Sequence, residues 1–248
     1  MKIRTHSIRF CIVLFFLLIW EGLARYQLIN TLLFSPPSRI LVSFYELLFS
    51  YELIADVFMS FQRVLVGVCI SFFTAIPLAL LVGTNRKLNS YLNPFINFIK
   101  PIPPIAWIPI AIVWFGIGNN LAYFVTTIAS FFPFFMNTLV GVENVSKEDI
   151  NVAKCFGANK RMILMDIIIP ASLPYIFSGI RVGFGIAWMS IVVAEMLTSI
   201  SGLGYLITVN QQMLRLDRVF VGMLVIGLVG MLMDNLVVLL RKKVVRWK

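Results

Sequence analysis

Long apolar segments constrain the fold of this chain more than any other feature of its sequence. A helix that crosses the hydrocarbon core of a membrane needs about 20 mostly apolar residues. Six stretches approach or reach that length, at approximately 8–23, 64–82, 92–115, 121–140, 175–197 and 219–240. Only 13% of the residues are charged, about half the share of a soluble domain. We therefore predict an all-α membrane protein with about six transmembrane helices, forming a single domain over residues 1–248.

Basic residues are distributed unequally between the two sides of these predicted spans. The N-terminus, the second and fourth connections and the C-terminal tail carry 15 Lys and Arg, whereas the opposite loops carry 4. Such an excess is typical of cytoplasmic segments. We therefore predict that both termini face the cytoplasm. The net charge of +10 is explained by this topology, and we expect no nucleic-acid partner.

The first apolar stretch has two interpretations. Lys2 and Arg4 precede a short apolar run over residues 10–20, as they would in a cleaved signal peptide. No convincing cleavage site between small residues follows this run, which favours a retained helix.

Residue types for catalysis or metal binding are sparse. Cys11, Cys69 and Cys155 lie far apart, and His6 is the only histidine. The sequence also lacks the Gly-x-x-x-x-Gly-Lys-Ser/Thr motif that binds nucleotide phosphates. We expect no catalytic residue, no metal and no cofactor in this chain.

The third predicted span contains a cluster of prolines, at positions 94, 101, 103, 104 and 109. Prolines at this density break or kink a helix, and a broken helix must be shielded from lipid. We expect a short cytoplasmic helix near 93–100, a proline break and then a membrane helix inside the bundle. Either a packing kink or a mechanical hinge would account for the break. Residues 116–120 then predict a tight outer turn.

Residues 143–174 predict a helix, a sharp turn and a second helix on the cytoplasmic side. Ser146 with Asp149 resembles a helix-start capping pair, and Gly157 is suited to a left-handed helix end. Asn159 is positioned to start the second helix and Pro170 to stop it. The first helix would carry a largely apolar face made of Ile150, Val152, Ala153 and Phe156.

Four basic residues surround this apolar face: Lys147, Lys154, Lys160 and Arg161. A loop that only connected two spans would not need such a shape. The pattern indicates a surface that docks into the groove of a partner protein.

This loop resembles the "EAA" loop of bacterial ATP-binding-cassette (ABC) importer permeases. Their pattern is Glu-Ala-Ala, three residues, Gly, nine residues and Ile-x-Leu-Pro, and it falls here on Asn151, Val152, Ala153, Gly157, Ile167, Ile169 and Pro170. Phe156 precedes the glycine and completes the predicted coupling site. Three positions depart from the pattern, and Asn151 replaces the glutamate with an amide that can still form hydrogen bonds.

Further segments resemble the nitrate, sulfonate and taurine branch of these permeases. They lie at 100–110, 114–118, 131–138, 179–188, 193–197 and 201–207, so the resemblance covers roughly residues 55–245.

The resemblance implies a type I ABC importer permease fold in the inner membrane. The implied partners are separate ATPase subunits that bind ATP, a periplasmic or lipid-anchored substrate-binding protein, a second permease copy and membrane lipid. The implied substrate is a small solute such as sulfonate, taurine, nitrate or a thiamine-precursor-like metabolite.

Charged and aromatic residues inside the spans supply candidates for the translocation path. Glu195, Arg181 and Trp188 are the candidates for a path or gate, with anchoring at the membrane interface or packing as the alternative. For Arg63 and Asp234 we favour positions at the headgroups. A stripe of small residues on the fifth span, Gly179, Gly183, Gly185 and Ala187, predicts close helix packing at a pore or dimer seam.

Two other functions fit the sequence less well than an importer permease. A self-standing channel or secondary transporter would carry more polar residues deep in its spans and would not need a docking loop. A membrane-embedded enzyme would need clustered reactive side chains, which the sequence lacks.

Overall fold

The computed structural model describes residues 2–26, 28, 30–31 and 33–245, with the side chains of residues 2–11 and 13 outside this description. Within this part the chain forms eleven α-helices and no strand. They are α1 Lys2–Arg25, α2 Pro37–Phe49, α3 Glu52–Thr84, α4 Arg86–Ile99, α5 Ile108–Phe115, α6 Asn119–Glu143, α7 Lys147–Cys155, α8 Lys160–Met162, α9 Ile169–Thr198, α10 Leu203–Gln212 and α11 Leu216–Val244. The all-α prediction is confirmed.

Helix α6 lies at the centre of the bundle, between α3 and α9. Phe134 and Phe135 on α6 are fully buried. Glycines on both neighbours let the backbones approach closely, as is common between membrane helices. A Cβ added at Gly67 of α3 would clash with Thr126, and one added at Gly183 of α9 would lie 2.6 Å from the Phe134 ring.

Four of the helices are long and apolar enough to cross a membrane: α3, α6, the continuous helix from α8 through α9, and α11. The number becomes five if α4 and the chain after it form one broken span. The predicted first span falls within α1, and part of its side chains lie outside the described residues, so this span stays a prediction. The cytoplasmic orientation of both termini also stays a prediction.

The third predicted span is broken more severely than a kink. Helix α4 and the segment Pro104–Phe115 meet at an angle of 86°. The second part begins with a 3₁₀ turn, Pro104–Trp107, followed by the eight residues of α5. Eight helical residues extend about 12 Å, well short of a hydrocarbon core of about 30 Å. The helix after the predicted proline break is therefore too short to cross the core by itself, and the third predicted span would need both parts.

The helix before this break starts earlier than predicted. It begins at Arg86 because the Asn85 side chain caps it, accepting hydrogen bonds from the backbone N–H groups of Lys87 and Leu88. The prediction of a short helix near 93–100 missed this cap. The turn predicted over residues 116–120 is confirmed, since Gly116 and Gly118 both have positive φ.

Candidate functional site

Helix α7 begins as its sequence predicts. The Ser146 hydroxyl accepts a hydrogen bond from the backbone N–H of Asp149 at 3.3 Å. The same hydroxyl donates to the Glu148 carboxylate at 2.7 Å, and this bond lowers the pKa of Glu148. Acidic residues in the first turn also interact favourably with the helix dipole. The start of the predicted docking helix is thus fixed by local side chains.

A glycine turn ends α7 and leads into α8. Gly157 has φ +82°, the left-handed conformation that glycine adopts without steric cost. The N–H of Gly157 donates to the Lys154 carbonyl, and the N–H of Ala158 donates to the Ala153 carbonyl. These two bonds define a Schellman motif. Asn159 then caps α8 by accepting from the N–H of Met162 at 2.9 Å, as predicted.

The apolar residues of α7 and of its C-cap lie on two different faces. Ile150 and Ala153 pack against a buried cluster of Val142, Val145, Ile163 and Ile168, with Ala158, Leu164 and Ile167 at its edge. Val152 and Phe156 point outward and are 56% and 88% exposed. The single apolar face predicted from the sequence is therefore wrong. Ile150 and Ala153 anchor the loop to the bundle, whereas Val152 and Phe156 form an exposed half.

Polar and basic groups surround the exposed half. Lys147, Lys154, Lys160 and Arg161 are all exposed, and so is Asn151. On the helix that follows, Met162 and Met165 are also 49% and 53% exposed. We call Val152, Phe156, Met162 and Met165 the docking knob.

Pro170 does not stop the second helix of the loop, contrary to prediction. The helix runs without interruption from Lys160 to Thr198. A π-helical stretch, Ile163–Ile168, widens the helix immediately before Pro170, which lies in the first turn of α9. Proline has no backbone N–H to donate. In a π-helical stretch each carbonyl accepts from the N–H five residues on instead of four, so the missing N–H of Pro170 can be bypassed. The loop is therefore rigidly continuous with a membrane helix.

A buried ion pair connects α3 and α9 at the opposite end of α9. Arg63 donates to the Glu195 carboxylate at 2.7 Å, and both side chains are almost fully buried. Arg63 also donates to Asn119 at the start of α6 and to the carbonyl and hydroxyl oxygens of Ser201. The expectation that Arg63 sits at the headgroups missed this pairing.

Further donors complete the surroundings of Glu195. The Ser60 hydroxyl and the backbone N–H of Gly204 donate to its carboxylate. The N–H of Gly202 donates to Asp56 at 2.7 Å. These contacts tie the turn between α9 and α10 to the first turns of α3. Sequence reasoning did not assign Ser60, Asp56 or Ser201. The one available signal was that Arg63 and Glu195 carry opposite charges near span ends that the predicted topology places on the same side of the membrane.

A second ion pair lies between α9 and α11. Arg181 donates to both carboxylate oxygens of Asp234, at 2.5 and 2.7 Å. The two side chains remain 51% and 42% exposed. The pair borders a small cavity lined also by Gly185, Trp188 and Gly230.

Trp188 is buried, and its indole N–H donates to the Ile226 carbonyl of α11. The three path candidates therefore differ in accessibility. Glu195 and Trp188 are enclosed within the chain, whereas Arg181 faces outward. Among the small residues of the predicted stripe, Gly179 and Gly183 contact α6, and a Cβ at Gly185 would meet nothing within 4 Å.

The part of the chain that the structure describes holds no group of three or more His, Cys, Asp or Glu side chains that could bind a metal ion.

Comparison with known proteins shows extended similarity. Residues 67–246 match the family model described as "Binding-protein-dependent transport system inner membrane component". A Methanocaldococcus jannaschii protein named as an ABC transporter permease is 41% identical over 223 residues, covering 88% of this chain and 83% of that protein.

The names of several relatives include a substrate. The bicarbonate transport system permease protein of Synechococcus elongatus is 37% identical over 188 residues, covering 75% of this chain and 68% of its own length. The taurine transport system permease protein of Escherichia coli is 28% identical over 236 residues, covering 93% and 86%.

Proposed function

Because the chain belongs to the family of inner membrane components of binding-protein-dependent transport systems, we propose that it forms the translocation path of an ATP-driven importer and couples to a separate ATPase through its docking knob. The chain is a multi-pass permease of the ABC transporter class and not an enzyme. A permease of this kind needs a coupling surface, a second half for its path and a solute that the path admits.

The exposed ring of Phe156 carries the coupling proposal. Burying a phenylalanine side chain contributes about 1.5–3 kcal/mol, so a ring that is 88% exposed at a loop tip leaves this free energy for a partner. The ATPase groove would bury Phe156 and Val152, while the surrounding Lys and Arg would contact acidic groups at its rim. In this arrangement Asn151 supplies a hydrogen-bonding amide at the position of the family's glutamate.

Continuity of the helix supports transmission of force from this knob. Ile167 and Pro170 lie where the loop joins α9, and the helix continues to Thr198. Movement of the ATPase would therefore shift α9 as a unit. The relevant transition is a rigid-body change between two packed arrangements.

The half-exposed ion pair Arg181–Asp234 supports assembly with a second copy. Charged groups in a span cost roughly 2.5–3.5 kcal/mol each at the helix centre, and they rarely face lipid. A second permease copy packed against α9 and α11 would cover the pair or enclose it in a water-filled path. Arg181 would then line the path. Glu195 and Trp188 would control a gate indirectly, because their contacts hold α9 against α3 and α11.

The substrate is proposed to be a small solute that carries an oxyanion group, such as a sulfonate, taurine, nitrate or bicarbonate. Support comes from the relatives named for bicarbonate and taurine. A periplasmic or lipid-anchored binding protein would deliver it to the outer face. The Lys and Arg excess supports placing both termini in the cytoplasm.

The coupling proposal is tested by co-expressing the tagged chain with its genomically neighbouring ATPase and purifying it in mild detergent. We expect the ATPase to be retained by the unaltered chain and its affinity to fall roughly 10- to 150-fold in Phe156→Ala, since about 1.5–3 kcal/mol of burial is lost.

Phe73→Ala is the matched control, because Phe73 is similarly exposed but lies within the span α3. It should retain the ATPase fully. Equal retention by the two variants would show that the docking knob does not couple the chain to the ATPase.

A further inference from the structure

Helix α4 presents three distinct faces along its length. Residues 88, 92, 96 and 99 are Leu, Leu, Ile and Ile and form one stripe. Tyr91, Phe95 and Phe98 form a second stripe, centred about 90° away at about 100° per residue. Asn93 and Asn97 lie on the third face.

The aliphatic face is already occupied. Leu88, Leu92 and Ile96 pack against the main hydrophobic core of the bundle. Beside them the Asn89 amide donates to the Glu143 carboxylate at 2.9 Å, which ties α4 to the last residue of α6. These contacts fix the rotation of α4 about its own axis.

The aromatic face is left uncovered by the described chain. Tyr91, Phe95 and Phe98 are 67–78% exposed. Tyr91 follows Asn89 by two residues and so lies on nearly the opposite side of the helix from the contact with α6. The fixed rotation therefore holds three large rings away from the bundle.

Both ends of α4 are basic. Arg86 and Lys87 occupy its first turn and Lys100 follows its last residue, and all three are exposed. The described part of the chain places no acidic side chain within salt-bridge distance of them, since none of its ion pairs includes these residues. Long basic side chains beside an apolar stripe can extend to phosphates while their methylene groups stay in apolar surroundings.

The position of α4 places it at a membrane surface. It begins two residues after the end of α3, a helix long and apolar enough to span, and only Asn85 intervenes. It then meets the following segment at 86°. The segment Pro104–Phe115 packs against the span α6, so a helix at nearly a right angle to this segment runs across the bundle and along the headgroup layer.

We propose that α4 is an interfacial helix that lies in the headgroup layer of the leaflet where α3 ends. Tyr91, Phe95 and Phe98 enter the boundary of the acyl chains. Arg86, Lys87 and Lys100 bind the phosphates of anionic lipids, and Asn93 and Asn97 face water. Aromatic rings at this depth and basic residues on the polar side are typical of such helices. The occupant of the aromatic face is thus the bilayer rather than a second protein chain.

This placement of α4 does not depend on the docking knob or on which side of the membrane α4 occupies. The test uses the full chain with Cys11, Cys69 and Cys155 replaced by alanine, in vesicles of phosphatidylcholine and phosphatidylglycerol. A spin label is attached at Phe95→Cys or, as matched control two residues away, at Asn93→Cys. Collision with oxygen, which concentrates in lipid, is compared with collision with a water-soluble nickel complex.

We expect oxygen to reach the label at Phe95→Cys more often than nickel does, and the reverse at Asn93→Cys. Two results would overturn the proposal. Greater access by nickel at Phe95→Cys would place the aromatic face in water. Protection from both reagents, in the chain alone or with its ATPase bound, would place a protein there instead.

The role of the charges is tested with the same label. In vesicles of phosphatidylcholine alone, and likewise in the Lys87→Gln variant, the ratio of oxygen to nickel collisions at Phe95→Cys should fall. A ratio that is unchanged in both would show that anionic lipids do not hold α4.

Discussion

At the scale of single residues, Arg63 shows how much one buried charge depends on its surroundings. Its guanidinium donates to Glu195, Asn119 and Ser201, so its N–H groups are distributed over partners from three parts of the chain. A buried ion pair adds little net stability, but removing one partner leaves the other charge uncompensated. Arg63 and Glu195 therefore act as a unit that fixes the distance between α3 and α9.

Replacement of Glu195 by alanine should destabilise the chain strongly. The expected loss is roughly 3–5 kcal/mol, because Arg63 would keep its charge in a buried site without its carboxylate partner. The measurement is thermal unfolding of the purified chain in detergent, followed by circular dichroism.

The matched variant for this measurement removes both charges, as Arg63→Leu with Glu195→Leu. It should lose less stability than Glu195→Ala, since no unpaired charge remains. If Glu195→Ala unfolds at the same temperature as the unaltered chain, the ion pair does not hold the helices as described.

At the scale of elements, the sequence predicted best what neighbouring residues determine. The Ser146 and Asn159 side chains each bind a backbone N–H three residues on, and the left-handed turn at Gly157 is favoured because glycine has no side chain. Helix types and the main apolar spans followed from local pattern in the same way.

The predictions about elements that were wrong depend either on residues far apart in the chain or on a local distortion of the helix. Arg63 and Glu195 are 132 residues apart, so no local pattern could pair them. Pro170 was expected to end a helix, yet the preceding π-helical stretch accommodates it. The two faces of α7 could not be separated because the cluster that receives Ile150 and Ala153 comes from α6 and from the chain after α8.

The contact between α6 and α9 supplies a prediction at this scale. Gly183→Ala should destabilise the chain by about 1–3 kcal/mol, because the added methyl group would meet the Phe134 ring and the Ser130 carbonyl. Unfolding by heat in detergent measures the change.

Gly185→Ala is the matched control, two residues further along the same helix, where the added methyl group meets nothing within 4 Å. Its chain should unfold at the same temperature as the unaltered protein. A loss of equal size in both variants would contradict the close packing of α6 against α9 at Gly183.

At the scale of the whole molecule, the described chain has two surfaces that call for partners of different kinds. The docking knob is an exposed apolar tip surrounded by basic residues on a polar loop. Arg181 and Asp234 lie on two of the helices that are long and apolar enough to cross a membrane, where a half-exposed ion pair needs protein or water beside it. Together they support a permease that works as one half of a translocation path and receives its driving force from another chain.

The composition of the purified complex is the decisive test of a permease driven by a separate ATPase. The tagged chain would be co-expressed with its neighbouring ATPase and binding protein, extracted in mild detergent and weighed intact by native mass spectrometry. We expect two copies of this 28.2 kDa chain together with two ATPase subunits. A chain that purifies without an ATPase and still conducts solute into vesicles would contradict this expectation and establish a self-standing transporter.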